Sequence, residues 1–91
     1  MKTVKITLWT EWKPTLPDLV ARYFPSYTIV RGLGGWVDQG GVAMQEESAQ
    51  VILLIDPAIR ARANYLATVI KEEHEQDAVF ITTEAVTLEV V

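Results

Sequence analysis

The feature that most constrains this sequence is an apolar run at residues 51–55, Val-Ile-Leu-Leu-Ile, followed directly by Asp56 and Pro57. A short run without any polar position is typical of a strand that is covered on both faces of a sheet. Asp and Pro are preferred at the N-cap and the first position of a helix. The run therefore predicts a central strand that leads straight into a helix. A chain of 91 residues has room for one such domain, spanning residues 1–91.

The first third of the chain predicts a strand, a helix and a second strand. Residues 4–8 alternate between apolar and polar side chains, as a half-buried strand does. Thr15 and Asp18 form a variant of the capping box, and an apolar stripe follows at helical spacing, so we expect a helix of about three turns. Pro25 would stop this helix. Residues 27–31 are rich in β-branched and aromatic side chains and predict the second strand.

The rest of the chain completes a β-α-β-β-α-β order. Residues 48–55 form the third predicted strand, and apolar side chains then recur at helical spacing between Ile59 and Ile70. Residues 78–82 predict the fourth strand, and alternation at residues 86–90 predicts an extra C-terminal strand. Two β-α-β units that share one antiparallel sheet give the ferredoxin-like α+β arrangement, with two helices on one face.

The other face of this sheet is expected to be open. Ile52, Leu54 and Phe80 would point to it, and Trp9 alternates out of phase with the side chains that face the helices. An apolar sheet face of this kind is usually covered by a partner. We therefore expect a homo-oligomer.

Residues 32–41 are the most unusual segment, because they hold all five glycines of the chain. The segment lacks the G-x-x-x-x-G-K-[ST] phosphate loop, and Val37 stands where the third glycine of G-x-G-x-x-G should be. It also leads into a strand, so no helix N-terminus is available for a phosphate. We interpret it as the irregular end of a long β-hairpin. The functional alternative is a mobile loop that closes over a ligand.

The candidate ligand-binding residues all belong to this hairpin. Arg31 would supply a charged fork and Trp36 a stacking surface, while the glycine amides allow close approach. Polar residues at the start of the third strand would pair with Arg31 across the hairpin or bind ligand hydroxyls. Glu46 and its neighbour point to opposite faces of a strand, so they are poor candidates for an acid–base pair. The candidate set is Arg31, Gly34, Gly35, Trp36, Gln45 and Glu47.

Other chemistries have little support in the sequence. Without cysteine there is no thiolate metal site, disulfide or cysteine nucleophile. His74, the only histidine, lies in an acidic helix end without zinc-binding spacing, and we interpret it as a solvated residue. We therefore expect no catalytic residue, no metal and no cofactor.

Charge and hydropathy define the expected partners. The net charge of −4 argues against extended nucleic acid, although the first 31 residues carry five basic and two acidic side chains, enough for a small anion. The N-terminus has no apolar signal region and no segment is long enough to span a bilayer, so we expect a cytoplasmic protein without membrane contact.

Two motifs carry a resemblance to a group of proteins. Gly32-Leu-Gly-Gly-Trp36 and Gln76-Asp-Ala-Val-Phe80, with the strand between them, resemble short, uncharacterised phage and bacterial α+β proteins over residues 27–83. The resemblance implies no established activity and assigns no functional residue. It suggests a phage protein that sequesters a host signalling nucleotide.

Three hypotheses for function follow. The first is a non-catalytic, homo-oligomeric protein that binds a small anionic or nucleotide-like molecule near the glycine-rich hairpin. The second is a protein–protein interaction module that uses tryptophans and the open sheet face to bind a phage or host partner. The third is a small enzyme with its site in an oligomer cleft.

Overall fold

The computed structural model describes residues 2–91, which form one four-stranded antiparallel sheet with two helices. The elements in chain order are β1 (Thr3–Glu11), α1 (Leu16–Ala21), β2 (Thr28–Val37), β3 (Ala43–Ile55), a 3₁₀ turn (Pro57–Ile59), α2 (Arg60–Glu73) and β4 (Phe80–Val86). The strand order is β2-β3-β1-β4. The predicted ferredoxin-like α+β class is therefore confirmed. Within residues 2–91, no helix is long and apolar enough to cross a membrane.

The core lies between the two helices and one face of the sheet. Ile6 pairs with Leu53 and Leu8 with Val51 across β1 and β3, and all four side chains are fully buried. The helices cover them with apolar side chains that are also buried: Leu16, Leu19, Val20, Ala63, Leu66 and Ile70. Because successive strand residues point to opposite faces, Ile52 and Leu54 lie on the open face, as predicted.

Helix α1 is shorter than the sequence predicts. It has six residues rather than three turns, and the chain continues through a turn at Arg22 and Tyr23 to Phe24. Thr15 has helical backbone angles, φ −84° and ψ −6°, and its side chain does not cap the helix. Its hydroxyl instead hydrogen-bonds the Nε2 atom of His74, with 3.0 Å between the two atoms. A tertiary contact therefore replaces the predicted capping box.

The glycine-rich segment is more regular than predicted. β2 continues through Trp36 to Val37, and β3 begins at Ala43, so only residues 38–42 are irregular. The two strands stay in continuous register from Thr28↔Ile52 to Val37↔Ala43. Cross-strand backbone hydrogen bonds thus hold Gly32, Gly34 and Gly35 extended, in spite of the low strand propensity of glycine.

The second half of the chain departs from the sequence prediction at its end. Asp56 accepts a hydrogen bond from the Ala58 amide at 2.9 Å, and Pro57 begins a 3₁₀ turn that leads into α2, so the predicted helix start is confirmed. β4 lies at residues 80–86, two residues later than its predicted start. The predicted extra strand at residues 86–90 was wrong, because residues 87–91 form no strand.

The sheet has two structurally distinct parts. The β1–β3 pairing ends at Glu11↔Ser48, so residues 34–46 pair only with each other. We call residues 34–46 the arm and the remaining described residues the body. The molecule is accordingly elongated, with extents of 48 × 24 × 22 Å.

Candidate functional site

A cleft of about 350 Å³ lies where the open face of the body meets the arm. Its lining comes from β1, the arm, β3, the segment between α2 and β4, and the first residue of β4. The lining residues are Trp9, Thr10, Glu11, Trp36, Glu46, Ser48, Ala49, Gln76, Asp77, Ala78 and Phe80. This volume falls at the lower end of the range for small-molecule pockets, about 300–1,000 Å³.

Two glycines lie on the open face opposite residues that line the cleft. Gly32 pairs with Ser48 and Gly34 with Glu46, and alternation places both glycines on the open face. A Cβ atom at Gly34 would lie 3.3 Å from the Cβ atom of Ser48, closer than ordinary side-chain contacts. The absence of side chains at Gly32 and Gly34 therefore leaves the sheet uncovered beside Ser48 and Glu46, which line the cleft.

Aromatic side chains line the cleft on both the body and the arm. Trp9 and Phe80 are cross-strand partners on the body, and Trp36 lies on the arm. The Trp9 indole donates a hydrogen bond from Nε1 to Oγ1 of Thr82 at 2.9 Å, which fixes its ring. Phe80 is 69% exposed and Trp36 is 49% exposed. Large aromatic surfaces held at a fixed orientation can stack on a planar ligand.

Two carboxyl groups approach each other within the cleft. Glu11 of β1 pairs with Ser48, and Glu46 lies two residues before Ser48 on the same face of β3. A hydrogen bond between the two carboxyl groups raises the pKa of Glu46, and burial and repulsion from Glu11 raise it further. Lys13 acts in the opposite direction, and its Nζ atom lies 4.0 Å from Oε2 of Glu11. The pair can therefore hold a proton, or a cationic group, between its oxygens.

Gln76 forms the polar edge of the cleft and is 8% exposed. Its Oε1 atom accepts hydrogen bonds from the Thr10 hydroxyl at 2.7 Å and the Glu11 amide at 3.1 Å. These bonds fix the orientation of the side-chain amide. Its Nε2 atom is buried and has no hydrogen-bond partner among the described residues. A buried donor of this kind is costly unless a partner satisfies it.

The structure divides the sequence-predicted site residues between the two faces of the hairpin. Gly34 and Trp36 lie on the open face, and Trp36 lines the cleft. The others, Arg31, Gly35, Gln45 and Glu47, alternate to the helix side. Trp36 and Arg31 are therefore not brought together, because their separation of five residues puts them on opposite faces.

Arg31 has structural contacts of its own. Its guanidinium hydrogen-bonds Oε1 of Glu47 at 3.1 Å, which confirms the pairing across the hairpin. It also lies 4.2 Å from the centre of the Trp12 ring. An ion pair and a cation–π contact hold this side chain on the face away from the cleft.

His74 is not the solvated residue that the sequence suggests. Besides its contact with Thr15, its Nδ1 atom is buried without a hydrogen-bond partner in the described chain. Burial lowers the pKa of His74, and Lys13 lowers it further, while Glu73 and Glu11 oppose the shift. This histidine therefore joins the start of α1 to the end of α2.

The sequence reasoning missed most of the cleft. Trp9 and Glu11 lie in one segment, and Gln76 and Phe80 lie in another that is distant from it in the chain. One signal was available, since Trp9 and Phe80 were both expected on the open face. The Glu11–Glu46 pair had no local signal, because it depends on the register of two strands. Among residues 2–91, no group of three His, Cys, Asp or Glu side chains is placed to hold a metal ion.

Comparisons with known proteins define the class to which the fold belongs. No protein-family model and no curated protein matches the sequence. Solved structures of ferredoxin-like α+β proteins do match.

A phage SAM lyase in complex with S-methyl-5′-thioadenosine has a TM-score of 0.73 and 13% identity, over 91% of this chain and 81% of that chain. The phage SAM lyase in its apo state has a TM-score of 0.65 and 18% identity, over 92% of this chain and 79% of that chain. CutA from Synechococcus elongatus has a TM-score of 0.60 and 9% identity, over 92% of this chain and 76% of that chain. At these identities the likeness shows the shared fold.

Proposed function

We propose that this protein binds a nucleoside-like small molecule in the cleft and holds it without chemical change. The observation that carries the proposal is the set of three aromatic side chains that line the cleft, Trp9 and Phe80 on the body and Trp36 on the arm. Every nucleobase has a π-face, so exposed aromatic rings are a general means of binding bases.

The fold comparison supports the same class of ligand. The phage SAM lyase of similar fold holds S-methyl-5′-thioadenosine, which is a nucleoside without a phosphate group. A ligand of that size also suits a cleft of about 350 Å³.

The charged side chains of the cleft indicate which charge its ligand would carry. Glu11, Glu46 and Asp77 line it, and none of the described lining residues is Lys or Arg. Negative charge at a binding site repels phosphate. The anionic ligand expected from the sequence is therefore replaced, in this proposal, by a neutral or positively charged nucleoside.

Self-association belongs to the same proposal. Val30 and Leu54 are exposed large apolar side chains on the open face, outside the cleft. A second copy of the chain would cover them, as contiguous apolar patches on soluble proteins commonly require. Size-exclusion chromatography with light scattering should give a multiple of the monomer mass. A monomer at all concentrations would remove this part of the proposal.

The biological role we propose is sequestration of a host nucleoside signal by a phage protein. The phage origin of the SAM lyase with this fold supports it. A sequestering protein must return its ligand unchanged. Mass spectrometry of the ligand after prolonged incubation is therefore part of the test.

Isothermal titration with adenosine, S-methyl-5′-thioadenosine and AMP tests the binding itself. We expect the two nucleosides to bind more tightly than AMP. Trp36→Ala should weaken nucleoside binding about tenfold, since stacking contributes roughly 1–3 kcal/mol per base. Tyr65→Ala is the matched control, because Tyr65 is also an exposed aromatic residue but lies on α2, outside the cleft.

The outcomes separate the three hypotheses for function. Conversion of the ligand during incubation would favour the enzyme. No binding of any of the three compounds, together with stoichiometric capture of one phage or host protein that Trp36→Ala abolishes, would favour the interaction module. Equal loss of binding in Trp36→Ala and Tyr65→Ala would place the ligand elsewhere and contradict the proposed cleft.

A further inference from the structure

The cleft contains a feature that base stacking alone does not use, the carboxyl pair of Glu11 and Glu46. The two residues lie on neighbouring strands and on the same face, and both line the cleft. Their carboxyl groups are close enough to share a hydrogen bond. Two carboxylates held together repel each other unless a proton or another positive charge lies between them.

Compensating charge within the protein is weak. Lys13 is the basic residue in contact with the pair, at the 4.0 Å limit of an ion pair, and its side chain is 43% exposed. Exposed pairs of this kind contribute little to stability. Lys13 therefore compensates the negative charge of the carboxyl pair only in part.

A second observation points independently to a ligand. Gln76 lines the same cleft, and its buried Nε2 atom has no partner in the described part of the chain. Because its Oε1 atom is fixed by Thr10 and the Glu11 amide, the side chain cannot turn to satisfy Nε2 without losing those bonds. A hydrogen-bond acceptor on a ligand, such as a ring nitrogen or a ribose oxygen, would supply the missing partner after a small movement of the segment that carries Gln76.

The aromatic side chains of the cleft suit a cation as well as a base. The faces of Trp and Phe rings carry negative potential and attract cations. A positively charged ligand is thus favoured both by the two carboxyl groups and by the aromatic faces of Trp9, Trp36 and Phe80.

We propose that the Glu11–Glu46 pair binds a positively charged group on the ligand, so that the cleft selects a cationic nucleoside over its neutral analogue. The inference rests on the proposed nucleoside binding and adds the charge that the ligand must carry. The positive group takes the position between the carboxyl oxygens, while Gln76 binds an acceptor on the neutral part of the ligand.

A matched pair of probes tests this selection. 5′-Amino-5′-deoxyadenosine differs from adenosine by an ammonium group in place of the 5′ hydroxyl. We expect the wild-type protein to bind the amino compound about tenfold more tightly or better, since hydrogen bonds to charged groups contribute roughly 1.5–3 kcal/mol. Glu46→Gln and Glu11→Gln should each reduce this ratio to about threefold or less.

Glu84→Gln is the control variant, because it removes the same charge from the same sheet face but outside the cleft. It should keep the wild-type ratio. An equal reduction in Glu84→Gln would mean that net charge, rather than the carboxyl pair, causes the preference, and would overturn the inference.

The result also separates this inference from the proposed function. If adenosine and its amino analogue bind the wild-type protein equally well, nucleoside binding stands and the cation preference is wrong. If neither compound binds, the proposed function fails, and this inference fails with it. Circular dichroism and thermal melting of each variant confirm that the fold is retained.

Discussion

The body and the arm share strands β2 and β3, but these strands are stabilised in different ways in the two regions. In the body, β3 lies between β1 and β2 and its inward side chains are buried beneath two helices. In the arm, β2 and β3 have only each other, and Val37, Val42 and Trp36 remain exposed. A two-stranded ribbon is marginally stable by itself. The body therefore stabilises the fold, and the arm supplies one wall of the cleft.

Because of this difference, the body and the arm contribute to the cleft in different ways. Residues that are packed in a core cannot also offer their surface to a ligand, whereas the arm leaves Trp36 accessible. The cleft lies at their junction, where the rigid residue Trp9 faces the less constrained arm. Ligand sites are often formed where a rigid scaffold meets a more mobile segment.

The largest expected effect is on the free energy of unfolding, and it comes from a comparison of one valine in the body with one in the arm. Val51 is 0% exposed and Val37 is 67% exposed, although both side chains are on the helix side of the sheet. We expect Val51→Ala to lower the free energy of unfolding by about 2 kcal/mol or more, because it leaves a cavity in the core. Val37→Ala should change it by about 0.5 kcal/mol or less. Urea denaturation monitored by circular dichroism measures both values.

Equal losses for the two valines would break the comparison. They would show that the arm is as tightly packed as the body, which requires that a partner covers it. Repeating the measurement across protein concentrations would then identify the second copy, since its effect on stability rises with concentration.

The next effect concerns the turn of the arm. Gly41 has φ of 81°, a conformation that favours glycine, and its amide hydrogen-bonds the carbonyl of Asp38 at 3.0 Å. Gly41→Ala should therefore destabilise the arm by about 1 kcal/mol. Gly40→Ala is the control, since φ there is not positive and a Cβ atom would meet only Oδ1 of Asp38, at 3.4 Å.

Hydrogen exchange of backbone amides locates this effect. In Gly41→Ala we expect faster exchange for the paired amides of the arm and unchanged protection in β1 and α2. Protection lost throughout the body would contradict the view that the two regions are separable.

The smallest expected effect is a pH dependence that belongs to the body. The folded-state pKa of His74 lies below its ordinary value of 6.5, mainly because of burial. As pH falls below about 6.5, the unfolded chain takes up the proton first, so the folded state loses stability until pH reaches the folded-state pKa. Thermal melting between pH 7.5 and 5.5 should show this loss.

His74→Gln isolates the contribution of the histidine. A glutamine still offers a polar atom to the Thr15 hydroxyl but does not titrate, so the difference in melting temperature between wild type and variant should shrink as pH falls. Glu46 titrates with the opposite sign, because its raised pKa stabilises the folded state at low pH, but it is present in both proteins. A difference that is constant with pH would contradict the role given to His74.

Much of the body could be predicted from local sequence rules. The alternation in β1, the apolar run of β3 and the Asp56–Pro57 helix start each depend on neighbouring residues, and all three were found as expected. The side-chain cap of α1 was predicted wrongly, because the Thr15 hydroxyl bonds to His74, a residue 59 positions away. Local propensity does not contain a contact of that kind.

The arm was predicted less well than the body. Its glycines suggested the irregular end of a hairpin. Gly40 and Gly41 do lie in the turn, but Gly34 and Gly35 lie in the continuous ladder from Thr28↔Ile52 to Val37↔Ala43. The backbone hydrogen bonds that hold them extended come from the partner strand, which a local pattern of glycines does not reveal. Alternation within that ladder then separates Trp36 from Arg31.

The sequence by itself determined the order of the elements, the side chains that face the core and the open face of the sheet. Those properties follow from the spacing of apolar residues and from the chemistry of helix starts. Only the tertiary structure decided the cleft. Placing β1 between β3 and β4 brings Trp9, Glu11, Glu46 and Phe80 onto one surface, and Gln76 onto its edge. Register between distant strands sets these positions, because each residue's face and neighbours depend on its partner strand.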